Sequence, residues 1–160
     1  MDYVQANLYG SMATFAFVAG QSRNHAPVVN VEGRLKLPDG KEYNNKTDFS
    51  FQLSAHETAE LAAFLSGYVD LVSFSRPSNK AFGVKRNADR TIHVRGSVLA
   101  NEAWLSLQLK TKPGVEIDLL NVMYYVLSSA YPHVPQNALF VHIKNTYSIL
   151  NQNTNSGAAR

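Results

Sequence analysis

The chain has 160 residues and a formal net charge of +3, with 45% apolar and only 17% charged residues. Eight tyrosines and eight phenylalanines are more than a disordered chain would carry, so the composition predicts one packed domain over residues 1–150. The absence of cysteine excludes disulfides, thiolate metal sites and a thiol nucleophile.

No segment has the pattern of a membrane-directed sequence. The apolar run at residues 13–20 is short, and the residues before it include Asp2 and no basic residue, unlike a secretory signal. No stretch approaches the roughly 20 apolar residues that a membrane-spanning helix needs. We therefore expect a cytoplasmic protein without a membrane partner.

The first half of the chain predicts three strands. Residues 12–18 alternate loosely up to Gly20, and residues 29–37 alternate cleanly between apolar and polar side chains. Pro38-Asp39-Gly40 has the chemistry of a hairpin turn. The returning strand is predicted over residues 49–53.

A helix is predicted to follow these strands. Ser54 and Glu57 fit a capping box, so the helix should begin at Ala55. Gly67 is a typical C-terminal cap, and β character returns over residues 68–74.

The second half predicts a meander and one or two helices. Three strands are expected at residues 82–86, 90–99 and 103–111. Glu116 and Asp118 favour a helix N-terminus, and this helix should run to about Tyr131. Because it is apolar nearly all round, it should be buried by its own sheet or by another subunit.

The end of the chain is less regular. Residues 136–150 suit both helix and strand, and we favour helix, whereas the Asn-rich residues 151–160 predict a disordered tail. The predicted fold class is α+β, with antiparallel sheets, helices packed on one face and two sheet-then-helix halves.

The charge is concentrated in one window. Residues 76–112 hold eight basic and two acidic residues, a charge of +6, while seven basic and ten acidic residues elsewhere give −3. Such a segment favours a polyanionic ligand. The window also holds the only tryptophan, Trp104.

Strand alternation sorts this window into two faces. The outward face of the meander is predicted to carry Lys85, His93, Arg95, Trp104, Gln108 and Lys110. Cationic side chains follow a phosphate backbone, and an exposed indole offers a stacking surface for a base. The predicted nucleic-acid-binding residues are Lys80, Lys85, Arg86, Arg90, His93, Arg95, Trp104, Lys110 and Lys112.

No residue pattern is typical of an enzyme. The five histidines lack metal-ligand spacing, and the sequence has no acid/base pair of carboxylates, phosphate loop or nucleophile elbow. We expect no catalysis, metal or cofactor. The leading hypothesis is single-stranded DNA binding, with RNA left open. The alternative is a protein-interaction module, such as an inhibitor or adaptor, that binds through its apolar helix or a sheet edge.

Two segments carry a family resemblance: KAFGVKRNADRTIHVRG at residues 80–96 and AWLSLQLKTKPGVEIDLLN at residues 103–121. They resemble the single-stranded-DNA-binding proteins of bacteriophages, in particular those of podovirus type that double as cofactors of the phage RNA polymerase. The repeated sheet-then-helix order is similar to the Whirly and transcriptional-coactivator class, whose sheets bind DNA and whose helices form oligomers.

The resemblance lacks two signature features. The Lys-Gly-Lys-Ala-Ala-Leu motif of plant Whirly proteins is absent, as is the acidic C-terminal tail of bacterial replication proteins. The rest of the resemblance implies a protein that coats single strands without sequence preference in replication or transcription. If the chain is phage-encoded, it would do so in the host cytoplasm. It also implies a homo-oligomer formed through residues 115–131, with RNA polymerase as a protein partner.

Overall fold

The computed structural model describes residues 4–77 and 79–158, with side chains described as far as residue 148. Eight strands form two antiparallel four-stranded sheets, each in sequential order. The first sheet contains β1 (Gln5–Tyr9), β2 (Ala13–Gln21), β3 (Pro27–Leu35) and β4 (Phe49–Leu53). The second contains β5 (Leu71–Arg76), β6 (Lys80–Arg86), β7 (Ile92–Ala100) and β8 (Ala103–Thr111).

Helices follow each sheet. They are α1 (Ala55–Leu65) after the first sheet, then α2 (Glu116–Ala130) and α3 (Gln136–Ala158) after the second. This order confirms the predicted α+β class and its two sheet-then-helix halves. No helix in the described part of the chain combines the length and apolar character needed to cross a membrane.

Strand β1 was not predicted. Its side chains alternate between exposed and buried, but only Ala6 and Leu8 face the core. Two apolar residues are too few to distinguish a strand from a polar loop by alternation.

The connection between β3 and β4 is longer than the predicted hairpin. The turn forms at the expected place, where the Gly40 amide donates to the Leu37 carbonyl at 2.9 Å, and β4 spans Phe49–Leu53 as predicted. The difference is that β3 ends at Leu35, two residues before the predicted end of the alternation. Residues 36–48 fold back toward β1, because Tyr43 bridges to Lys36 and its hydroxyl donates to the Gly10 carbonyl at 2.7 Å.

The predicted ends of α1 are confirmed in detail. The Ser54 hydroxyl accepts from the Glu57 amide, and the Glu57 carboxylate accepts from the Ser54 amide. At the other end Gly67 has φ +86°, and the Tyr68 amide donates to the Ala63 carbonyl at 3.0 Å, the pattern of a Schellman cap. Glycine adopts this left-handed conformation without steric cost.

The core is rich in phenylalanine and joins the two sheets. Phe15 and Phe17 of the first sheet lie 6.4 and 6.0 Å, centroid to centroid, from Phe82 of the second. The sheets approach closely at Gly96, where a Cβ atom would lie 2.7 Å from the Phe49 ring. Side chains that face this core are therefore unavailable to a ligand.

Helix α2 is used mainly inside the fold. Six of its residues are buried, because it packs on α1 and on β1, β2 and β3. Ile117 and Tyr125 stay 74% and 49% exposed. Its nearly all-round apolar character therefore reflects burial against its own domain, with a narrow exposed stripe.

Residues 136–150 belong to helix α3, so the prediction of helix and not strand for this segment is confirmed. It continues to Ala158 and so includes residues 151–158, where the sequence predicts a disordered tail. No proline follows Pro135 in the sequence, so nothing in the backbone chemistry stops this helix earlier. Residues 159–160 of the predicted tail lie outside the described residues.

Candidate nucleic-acid interface

Strand pairing brings the outward residues of the second sheet together. They lie in three cross-strand rows: Lys85–His93–Lys110, Gly83–Arg95–Gln108 and Leu99–Trp104. We call this surface the basic face and define it by Lys85, His93, Arg95, Trp104, Gln108 and Lys110. The predicted assignment of these six residues to one face agrees with the register, and their neighbours in sequence away from the hairpin tip, such as Val84, Val94 and Leu109, are buried.

Two cations of the basic face are available to a ligand. Lys85 and Arg95 are exposed, and neither makes an ion pair or a side-chain hydrogen bond within the described residues. They are diagonal neighbours on β6 and β7, in adjacent cross-strand rows, with about 7–8 Å between their Cα atoms. Their charges are therefore close enough to contact neighbouring phosphates.

Lys110 is partly neutralised by an acidic neighbour. Its Nζ lies 3.2 Å from Oδ2 of Asp89, and both side chains are more than half exposed. Hydrogen bonds from Thr91, together with one from Lys110, lower the pKa of Asp89 to about 2, so this carboxylate is ionised at neutral pH. An exposed pair of this kind is weak, and a phosphate could replace Asp89 as the partner of Lys110.

Polar side chains line the face between the cations and the tryptophan. His93 Nε2 lies 3.0 Å from Gln108 Oε1, and Gln108 Nε2 donates toward Ser106 Oγ at 3.4 Å. The next cross-strand row holds only small residues, with Ala81 opposite Ser97 and Ser97 opposite Ser106. The middle of the face is therefore a low, polar floor over which a strand could pass.

Trp104 lies near the tip of the β7–β8 hairpin. The tip is a two-residue turn in which Asn101 and Glu102 have φ +51° and +64°, the signature of a type I′ turn. Trp104 is 61% exposed and faces outward opposite Leu99. Lys110 lies six positions further along β8, a span of about 20 Å. The stacking surface and the cations thus occupy opposite ends of one face.

Arg86 is placed differently from the prediction. Its guanidinium donates to the Glu116 carboxylate at 3.1 Å and to the Phe64 carbonyl at 2.9 Å, and it lies over the Phe64 ring. Residue 86 lies on the inward-facing side of β6, because it pairs with the buried Ile92. Arg86 therefore joins β6 to α1 and α2 and is not part of the basic face.

The pKa of Glu116 reflects this inward position. Burial alone would raise it, but hydrogen bonds from its own backbone, from Arg86 and from Gly114 outweigh burial and lower the pKa overall. Arg86 therefore faces an ionised carboxylate at neutral pH.

Lys80 also lies on the inward-facing side of β6. Its Nζ donates to the Ser50 carbonyl of β4 at 3.0 Å, so it links the second sheet to an edge strand of the first. Nearby, Arg76 pairs with Glu57 at 2.6 Å in a groove of about 640 Å³. The charged groups of this groove bond to one another or to the backbone.

The two remaining predicted residues lie at the edges of the face. Arg90 occupies the β6–β7 turn with φ +66°, and Lys112 follows β8; both are exposed. Alternation along β8 already assigns Ser106 outward, whereas Ser97 was not predicted, since serine carries no signal of its own and only the strand register brings it to the face.

Within the described residues, no group of three or more histidine, aspartate or glutamate side chains could hold a metal ion.

Comparison with known proteins identifies the fold. No protein-family model and no curated protein matches the chain. WHY1 from Arabidopsis thaliana is a similar solved structure, with a TM-score of 0.66 and 16% identity over 87% of this chain and 98% of that one. The plant transcriptional regulator PBF-2 gives 0.65 and 13% over 82% and 84%. A guide-RNA-binding protein complex bound to a guide RNA gives 0.64 and 12% over 82% and 92%. At such identities the likeness shows the fold alone, and the predicted Whirly-like fold is confirmed.

Proposed function

We propose that the protein binds single-stranded nucleic acid, DNA in the first instance, on the basic face. The observation that carries this proposal is the position of Trp104, which is 61% exposed on the same sheet face as the free cations Lys85 and Arg95. The guide-RNA-bound complex of similar fold supports nucleic acid as the ligand class.

The chemistry of the face suits a sequence-tolerant contact. Lys85, Arg95 and Lys110 would pair with backbone phosphates, Arg90 and Lys112 would add charge at the edges, and Trp104 would stack on a base. Stacking contributes about 1–3 kcal/mol per base and tolerates any base, because every base has a π face. His93 and Gln108 would donate or accept hydrogen bonds between these two ends.

A salt titration tests the proposal directly. Neutralising three to five phosphates should give a slope of log K against log salt of about −2 to −3.5 for a single strand. We expect a fluorescein-labelled oligo-dT to bind at low salt with such a slope. Absence of binding at low salt would refute the proposal.

A matched pair of variants separates the basic face from general charge. Lys85→Glu with Arg95→Glu should remove most of the binding, because it reverses both free cations of the face. Arg23→Glu with Lys46→Glu changes the net charge equally at exposed loop positions and should have a small effect. Equal losses in the two double variants would show that binding follows total charge.

We also propose that the chain forms a homo-oligomer through the helices. Ile117 and Tyr125 are eight residues apart on α2, on one stripe of the helix, and Phe140 and Val141 of α3 are 41% and 52% exposed. Contiguous exposed apolar patches mark subunit contacts, and these four side chains are the ones that such a patch would use. Sedimentation velocity should show a species larger than 17.7 kDa, which Ile117→Asp with Tyr125→Asp should dissociate.

The resemblance to phage cofactors supports a finer proposal: a role in phage replication or transcription, with RNA polymerase as partner. The test is co-purification of a purified polymerase with the chain in the presence and absence of oligo-dT. The rival, a protein-interaction module, predicts instead that affinity for a protein partner survives Arg90→Glu with Arg95→Glu.

A further inference from the structure

The outer face of the first sheet carries a depression of about 320 Å³ that the basic face does not use. Its floor is the small side chain of Ala16 on β2. Asn7 and Tyr9 of β1 lie on one side, and Glu32 and Arg34 of β3 lie on the other. Because neighbouring strands are about 4.8 Å apart, these two sides are separated by about 10 Å, which is enough to admit a planar base.

The aromatic side of the depression is partly fixed. Tyr43 is held by the hydrogen bond from its hydroxyl to the Gly10 carbonyl, and Lys36 Nζ lies 5.5 Å from its ring centroid. Tyr9 lies 6.2 Å from Tyr43, centroid to centroid, and is 69% exposed. Tyr9 is thus a free ring beside an anchored one, an arrangement that offers a stacking surface.

The polar side of the depression has an unusual composition for a surface that contacts a polyanion. Glu32 and Arg34 point outward from the same strand, two residues apart, or about 6.7 Å. Neither makes an ion pair or a side-chain hydrogen bond among the residues that the structure describes. A carboxylate and a guanidinium that do not pair with each other remain available to one ligand.

We propose that this depression is a base-reading site selective for guanine in a bound single strand. The carboxylate of Glu32 would accept two hydrogen bonds from the adjacent N1–H and N2–H of guanine, and Arg34 would donate to its O6 and N7. Arginine bidentate to O6 and N7 is the commonest specific contact to guanine. The Watson–Crick edge and the Hoogsteen edge of guanine share the O6 atom. The side chains of two adjacent outward positions can therefore bind both edges of one base.

Other bases match this pair of side chains less well. Thymine offers one N–H between two carbonyls, and those carbonyls would face the Glu32 carboxylate. Cytosine and adenine offer one amino group each and lack a second donor beside it. The carboxylate also disfavours a phosphate at this position, so the depression is suited to a base and not to the backbone.

The inference rests on the proposed function, since the base is presented by a bound strand. The experiment compares (dT)12 with (dTdG)6 by fluorescence anisotropy, in lithium salt to prevent guanine quadruplexes. We expect (dTdG)6 to bind about fivefold to tenfold more tightly, the lower part of the range for a bidentate base contact because the site is open to water. Inosine in place of guanosine removes the N2 amino group and should abolish most of this preference.

Glu32→Gln should remove the preference while leaving (dT)12 binding equal or slightly stronger, because a negative charge is lost. Glu42→Gln is the matched control: it makes the same change at an exposed loop position outside the depression and should preserve the preference. Thermal unfolding of both variants checks that the fold is intact.

The outcomes separate the two proposals. If no oligonucleotide binds, the proposed function fails. If (dT)12 and (dTdG)6 bind equally, or if the preference survives Glu32→Gln, the guanine site alone is refuted. Displacement of (dTdG)6 by equimolar guanosine monophosphate would also overturn it, by assigning the site to a free nucleotide.

Discussion

Lys85 and Arg86 are adjacent on β6 and carry the same charge, but the structure gives them opposite roles. Lys85 is exposed on the basic face, whereas Arg86 bonds to Glu116 and to the Phe64 carbonyl. We therefore predict that Arg86→Ala destabilises the fold with little effect on the salt slope of binding. Lys85→Ala should do the reverse.

The stability loss for Arg86→Ala follows from its contacts. The side chains of Arg86 and Glu116 are each 18% exposed, between the buried pairs whose disruption costs about 3–5 kcal/mol and the surface pairs worth about 0–1 kcal/mol. We expect a loss of about 2–3 kcal/mol, since removal of Arg86 leaves a mostly buried carboxylate and a carbonyl without this donor. Lys85→Ala should stay within about 0.5 kcal/mol, as is usual for exposed residues.

Two measurements test the pair. Urea unfolding at fixed protein concentration gives the stability change, and a salt series with labelled oligo-dT gives the slope, which Lys85→Ala should reduce in magnitude by about 0.7. Arg86→Lys is the control, because it keeps the charge but loses the planar fork and should still be destabilised. The reasoning is refuted if Arg86→Ala keeps wild-type stability and reduces the slope as Lys85→Ala does.

Three further outcomes are expected. Trp104→Ala should weaken oligo-dT binding by about 1–3 kcal/mol, measured by anisotropy. Trp104→Phe should lose less affinity, because it keeps an aromatic ring. Unchanged affinity of Trp104→Ala would exclude stacking. Hydrogen bonds from Thr91, together with Lys110, lower the pKa of Asp89 from 3.8 to about 2, so the stability they contribute is present above pH 3.8 and lost as the pH falls towards 2. The difference in melting temperature between wild type and Asp89→Asn should therefore shrink over that interval, and a difference that stays constant would contradict it. Gly96→Ala should cost about 1–3 kcal/mol in urea unfolding, because its Cβ would lie 2.7 Å from the buried Phe49 ring; an unchanged midpoint would mean that the ring can move.

Most elements of the fold could be predicted because each has a local cause. The ends of α1 follow from Ser54, Glu57 and Gly67, and the meander follows from alternation along β7 and β8. Strand β1 has no such local cause. It forms because it pairs with β2, and its own residues carry no pattern that predicts a strand.

The faces of the second sheet could be predicted, but the partners of its cations could not. Alternation assigns Lys85 and Arg95 outward on the basis of sequence alone, and the register agrees. The bonds of Arg86 to Glu116 and Phe64 join residues 30 and 22 positions apart, and no local pattern reports a contact at that separation. A count of positive charge therefore overestimates what a ligand can use.

This overestimate has a physical consequence for the +6 window. Three of its eight cations connect the second sheet to the first half of the chain or to the helices: Arg76 to Glu57, Lys80 to the Ser50 carbonyl and Arg86 to Glu116 and the Phe64 carbonyl. Five cations and two carboxylates are left on the solvent side, a net charge of +3. The cations of this window can then neutralise at most five phosphates of a bound strand per chain, so a salt slope steeper than about −3.5 would require cations outside the window, on the first sheet or on a second subunit, to contact the same strand.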